Sequence, residues 1–125
     1  MKKKTAIKWI DRSLIESPSC IGLCLSKKDF KAEMKRLKVP NPPKWITDGK
    51  DGMTHFFSYR GRETAIVCIK QHNKPIETVG LIIHEAVHIY QYIKQNLNEN
   101  NPSKEFEAYS IQTIAQRLID KVGER

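Results

Sequence analysis

Apolar positions along the chain follow two periods, one typical of strands and one typical of helices. Residues 55–59 and 64–69 are short runs rich in aromatic and β-branched side chains, which favour strands. Residues 60–63 separate them with a polar turn that contains glycine, so the pattern predicts a β-hairpin. Another apolar run at residues 20–26 predicts a further strand.

The basic segment that follows residues 20–26 has the spacing of an amphipathic helix. Phe30, Met34 and Leu37 recur at intervals of three and four residues, which places them on one helical face. Ser26 stands at the N-cap position and Asp29 follows three residues later. Lysines and one arginine occupy the opposite face, which we expect to be in solvent.

Two longer helices are predicted in the second half of the chain. The first runs through an apolar stretch to about Asn96. A loop is expected at residues 97–102, because asparagine and proline dominate it, and the last helix begins after it. The apolar positions of this last helix are Phe106, Tyr109, Ile114, Leu118 and Val122.

This order of elements predicts an α+β fold in one domain. The chain has 125 residues, enough for one core but not for a second substrate-binding module. We expect a small antiparallel or mixed sheet packed on the two C-terminal helices. Residues 1–8 are expected to form a basic N-terminal tail.

A metal-binding pattern lies inside the first long helix. Two histidines four residues apart project from one face of a helix, one turn above the other, so both can coordinate one Zn²⁺ ion. The glutamate between them can serve as a general base. Gly80 shares this face and would let another segment approach it closely. The motif is His84-Glu85-Ala86-Val87-His88.

A catalytic zinc site needs a third protein ligand, and the last helix offers two. Glu105 and Glu107 point about 200° apart on a helix, so only one can face the zinc. Glu105 shares its face with the small Ala108, which permits close helix packing and favours Glu105. Glu107 stays open as the alternative or as a supporting group. Tyr109 is a candidate helper, because its hydroxyl can donate a hydrogen bond near Glu105.

The zinc motif followed by residues 105–109 resembles the gluzincin pattern of zinc metallopeptidases. In several such families the third ligand is a glutamate in an E-x-x-A sequence, which maps onto Glu105 and Ala108. Residues 20–120 resemble small metallopeptidases encoded by bacteriophages and prophages. The resemblance implies a minimal zincin-like fold, one zinc per chain, and peptide-bond hydrolysis with Glu85 as the general base.

The resemblance also implies where a substrate peptide binds. In related peptidases the strand before the zinc helix borders the cleft, and a peptide can add to it by main-chain hydrogen bonds. The residues expected on the substrate strand are Thr64, Ala65, Ile66 and Val67.

The remaining two histidines have no assigned role. For His55 and His72, a role near the oxyanion and simple exposure both stay open.

The composition indicates the compartment in which the protein is expected. The longest apolar runs are too short to span a membrane, and charges interrupt the segment after the N-terminal lysines, so no secretory leader is expected. Cys20, Cys24 and Cys68 lack metal-binding spacing and are expected as buried thiols in the sheet. These features favour the cytoplasm, or the host cytoplasm if a phage encodes the chain.

Two other functions stay open. One is a zinc-binding interaction protein without turnover, although a purely structural site needs no general base such as Glu85. The other is a basic module that binds nucleic acid or a host protein, since the formal net charge is +8. The sequence holds no motif of nucleic-acid recognition that supports this second alternative.

Overall fold

The computed structural model describes residues 5–10, 20–71, 74–96 and 104–123, and they form a mixed α+β fold, which confirms the predicted class. No helix in these ranges is both long and apolar enough to cross a membrane. The elements are β1 (Lys8–Trp9), β2 (Cys20–Cys24), α1 (Lys27–Arg36), β3 (Gly52–Tyr59), β4 (Arg62–Ile69), α2 (Pro75–Asn96) and α3 (Lys104–Val122).

The four strands form one sheet in the order β1-β2-β4-β3. β2 runs parallel to β4, whereas β1 with β2 and β3 with β4 are antiparallel. The predicted hairpin is confirmed: Arg60 and Gly61 join β3 to β4 with φ angles of 50° and 75°. Two successive residues with positive φ match the twist of the strands on either side.

Both faces of the sheet are covered. Along β4, Val67 and Ile69 pack with α2 and α3, while Ile66 and Cys68 pack on the side of α1. This alternation follows from the two-residue period of a strand. Cys24 and Cys68 are buried and face each other in register on β2 and β4, as expected, and Cys20 is half-buried.

The first helix matches its prediction closely. The Asp29 amide donates to the Ser26 hydroxyl over 3.1 Å, which satisfies one of the free N–H groups at the start of α1. Phe30, Met34 and Leu37 are all buried. The last helix matches less well: Ile114 and Leu118 are buried, but Phe106 is 44% and Tyr109 70% exposed. The two turns at the start of α3 therefore contribute little to the core.

The expected N-terminal tail of residues 1–8 is wrong in its last residues, while residues 1–4 lie outside the described ranges. Ile7 is buried, and Lys8 and Trp9 pair with β2. A side chain at Gly22 would come within 2.8 Å of Ile7 and 3.0 Å of Trp9. The glycine thus lets the N-terminal segment cross β2 closely, a long-range contact that composition alone did not suggest.

Glu33 holds this N-terminal segment against α1. Its Oε1 accepts from the Ala6 amide over 3.0 Å, and its Oε2 accepts from the Trp9 indole over 2.7 Å. Arg36 donates to both oxygens, over 2.8 and 2.7 Å. Burial acts to raise the pKa of Glu33, but the hydrogen bonds and the charge of Arg36 outweigh it, so the pKa lies below its ordinary value.

We predict that Glu33→Gln destabilises the fold and flattens its response to acid. A lowered pKa stabilises the fold above the ordinary value of 4.5, and this stability is lost as pH falls through the folded-state pKa. At pH 7 the free energy of unfolding should drop by about 2–3 kcal/mol, the scale of a charged hydrogen bond. Urea unfolding at pH 7 and at about pH 3 measures both effects.

Asp48→Asn is the matched control for that measurement. The Asp48 side chain is 94% exposed and lies 3.6 Å from Lys44, so its loss should change stability little. A Glu33→Gln variant that loses stability in acid as steeply as the native chain would contradict this account of Glu33.

Candidate metal and catalytic site

Helix α2 has one side buried in the core and another side that carries the two histidines. Ala86 and Ile89 are buried in the core shared with the sheet and α3. His84 and His88 are exposed and lie about one turn apart on another face. Because α2 must bury its apolar side, its rotation leaves both imidazoles at the surface of a cleft.

The two imidazoles meet at a distance that suits one metal ion. His84 Nε2 and His88 Nε2 are 3.2 Å apart, and the rings are steeply inclined to each other, at 76°. Two nitrogen ligands at about 2.0–2.1 Å from a tetrahedral zinc would be separated by about 3.3 Å. The donor atoms of these two residues therefore fit a shared zinc.

The Glu85 side chain contacts the sheet and is only 5% exposed. Thr54 of β3 donates its hydroxyl to Glu85 Oε1 over 2.7 Å. The other carboxylate oxygen faces Gly52, where an added Cβ would lie 3.6 Å from Oε2. The carboxylate is thus held between α2 and β3, next to the histidines in sequence and on the wall of the same cleft.

The cleft lies between α2 and β3 and encloses about 820 Å³. His84, Glu85 and His88 all line it, so the structure brings the three residues of the motif to one cavity. Gly80 also lines it, but a side chain there would meet no atom within 4 Å. The close approach expected at Gly80 is therefore not seen in the described part of the chain. The other lining residues are Lys50, Asp51, Gly52, Met53, Thr54, Phe56, Glu77 and Leu81.

The three candidates on α3 do not join this cleft. Glu105, Glu107 and Tyr109 are exposed and are not among its lining residues. The start of α3 instead meets α2 through Phe106 and Tyr90, with ring centroids 6.4 Å apart. Among the residues with described positions, no three His, Cys, Asp or Glu side chains form a metal-binding group. Glu105 as third ligand, with Glu107 as the alternative, stays a prediction.

Three cleft residues were missed by reasoning from the sequence. Asp51 and Glu77 bring two carboxylates to the lining, and Thr54 brings a hydroxyl to Glu85. The strand period places Thr54 and Phe56 on the same face of β3, which the sequence alone could have shown. That this face lies under α2 depends on tertiary packing, for which the sequence holds no local signal.

His55 has a structural role on the opposite face of the sheet. Its Nε2 lies 2.9 Å from the Trp45 carbonyl oxygen, and its ring packs on Phe30 at 5.0 Å. It is not among the residues that line the cleft, so the suggested role near an oxyanion is not supported for His55. His72 lies outside the described residues.

The expected substrate strand is corrected by the sheet order. Thr64, Ala65, Ile66 and Val67 lie on β4, which is hydrogen-bonded to β2 on one edge and to β3 on the other. A peptide can add only to an edge whose N–H and C=O groups are free. Within the described ranges β3 pairs with β4 alone, so its outer edge is the one beside the cleft that can receive a peptide.

Comparisons with protein-family models, with curated proteins and with solved structures return no match to this chain.

We predict that the chain binds one zinc and that Glu105→Ala weakens this binding by more than about 100-fold, beyond the 10–100-fold typical of supporting residues. His84→Ala should have an effect at least as large. Glu107→Ala should change the affinity much less. Competition with a chromogenic chelator measures all of these affinities.

Glu77→Ala belongs in the same series because Glu77 lines the cleft with the histidines. Normal affinity in Glu105→Ala with a large loss in Glu77→Ala or Glu107→Ala would move the third ligand to that residue. Normal affinity in His84→Ala would contradict the zinc site as a whole.

Proposed function

We propose that the protein is a zinc-dependent metallopeptidase that hydrolyses peptide bonds in the cleft between α2 and β3. One observation carries the proposal: two imidazole nitrogens at zinc-sharing distance and a buried carboxylate lie on the wall of one open cavity. A structural metal site would be closed by its ligands and would need no such carboxylate.

His84 and His88 would hold the metal, with Glu105 as the third ligand implied by the gluzincin resemblance. When bound, zinc would lower the pKa of a water molecule to near neutrality and polarise the scissile carbonyl. Both histidines are exposed to the cleft, which leaves the space in front of them accessible to a substrate.

Glu85 would act as the general base and then as the general acid. Its carboxylate accepts a proton from the attacking water and later delivers it to the leaving amine. It is positioned for this because it lines the cleft, while Thr54 occupies one of its two oxygens. The other oxygen is left to exchange the proton.

The substrate would bind as an extended peptide along the outer edge of β3. Among the described residues this eight-residue strand pairs on one side, so its other edge offers main-chain groups to a peptide of several residues. Met53, Phe56 and Leu81 line the cleft beside it and would contact apolar side chains of the substrate.

A second candidate is supported by a groove elsewhere on the molecule. Pro42, Pro43 and Trp45 give a cavity of about 380 Å³ an apolar lining at the surface, and Lys27 and Lys31 lie beside them. An apolar surface with lysines around it suits an acidic segment of a partner protein. Binding of that kind would weaken with salt and would be unaffected by a metal chelator, which distinguishes it from the peptidase.

We predict that Glu85→Gln retains zinc and the fold but loses turnover by at least about 100-fold, the usual scale of general-base catalysis. Glutamine has nearly the same shape but cannot take up the proton. Cleavage of a quenched fluorescent peptide library, with and without chelator, measures turnover, and metal analysis measures zinc.

Asp120→Asn supplies the same acid-to-amide change at an exposed position of α3 and should cleave like the native chain. Undiminished cleavage by Glu85→Gln would remove Glu85 from the mechanism. A zinc-loaded native chain that cleaves no peptide would favour the zinc-binding interaction protein instead.

A further inference from the structure

The two oxygens of the Glu85 carboxylate lie in different surroundings. Oε1 accepts the Thr54 hydroxyl over 2.7 Å. Oε2 faces Gly52, where a Cβ would be 3.6 Å away and where glycine leaves that volume empty. Thr54 and Gly52 stand two residues apart on β3 and so project on the same side of the strand. The strand thus binds one oxygen and leaves room beside the other.

The hydroxyl that binds Oε1 has a rigid support. Thr54 pairs with Val67 of β4, and Val67 is fully buried. A glutamate side chain has three rotatable bonds, whereas a β-branched threonine has one that is strongly restricted. A hydrogen bond from such a donor restrains a carboxylate that would otherwise move among several rotamers.

We propose that Thr54 is the positioning residue of the general base, and that Glu85 Oε2 is the oxygen that exchanges the proton. In this scheme the Thr54 hydroxyl acts only through Glu85. The absent side chain at Gly52 provides the space in which the water reaches Oε2. This inference rests on the proposed role of Glu85 as general base.

Thr54→Val removes the donor while it keeps the shape of the side chain. We expect kcat to fall by about 10–100-fold, because small misplacements of a reacting group have effects of this size, with KM changed less than about twofold. Thr54→Ser keeps the hydroxyl and should recover most of kcat. Thr113→Val makes the same change on α3, where the hydroxyl donates to the Tyr109 carbonyl, and should leave kcat unaltered.

Gly52→Ala tests the other oxygen. The added methyl would stand 3.6 Å from Oε2, from the Cys68 carbonyl oxygen and from Leu81 Cδ2, which are ordinary contact distances that the fold accommodates. Its methyl would occupy the space assigned to the water. We expect kcat to fall by about 10-fold or more with an unchanged melting temperature.

A double-mutant cycle tests the Thr54–Glu85 contact without any turnover. Glu85→Met removes the acceptor and keeps an unbranched side chain of similar length. If the hydroxyl bonds to Glu85, adding the two single shifts counts the loss of this bond twice. The urea midpoint of the Thr54→Val/Glu85→Met double variant should then lie clearly above the midpoint that the summed single shifts predict.

Additive midpoint shifts would overturn the inference, as would a Thr54→Val variant with native kcat or a Thr54→Ser variant as slow as Thr54→Val. The cycle also separates this inference from the proposed function. Non-additive shifts in a chain that cleaves no peptide would retain the contact and reject the peptidase. Additive shifts in an active peptidase would reject the Thr54–Glu85 contact and retain the peptidase, since Glu85 would then work without Thr54.

Discussion

The packing of α2 against β3 and β4 is the constraint on which the candidate site depends. Ile82, Ala86 and Ile89 are almost fully buried in the main core, and this burial fixes the rotation of the helix about its axis. Residues about 100° apart on a helix then have different surroundings. His84 faces the open cleft, while Glu85, its neighbour, is pressed toward β3 and bonded to Thr54. A core contact thereby separates the two proposed metal ligands from the proposed general base.

Much of the fold could be predicted because its signals are local. The helical spacing of Phe30, Met34 and Leu37, the cap at Ser26 and the turn at residues 60–61 each act over a few positions. What was missed depends on contacts between distant segments. The N-terminal strand exists because Gly22 admits it and Glu33 binds it. The central place of β4 results from its parallel pairing with β2, and no local pattern specifies which strand lies at an edge.

In the candidate site, too, some residues were predictable from local spacing and others only from contacts between distant segments. His84, Glu85 and His88 were predictable because one helical turn brings them together. Thr54 is 31 residues away from Glu85 in sequence, and only the packed structure shows their contact. The preference for Glu105 over Glu107 used the facing of α3 and the gluzincin resemblance, and both residues lie on the exposed start of α3.

The most direct test of the account is to locate the metal itself. Crystals of the native chain grown with zinc, measured on both sides of the zinc absorption edge, should show one anomalous peak per chain. We expect that peak about 2.0–2.1 Å from Nε2 of both His84 and His88, with a carboxylate oxygen as the third protein ligand. An ordered cleft without such a peak, or a peak at other residues, would contradict the claim that these two histidines form a zinc centre.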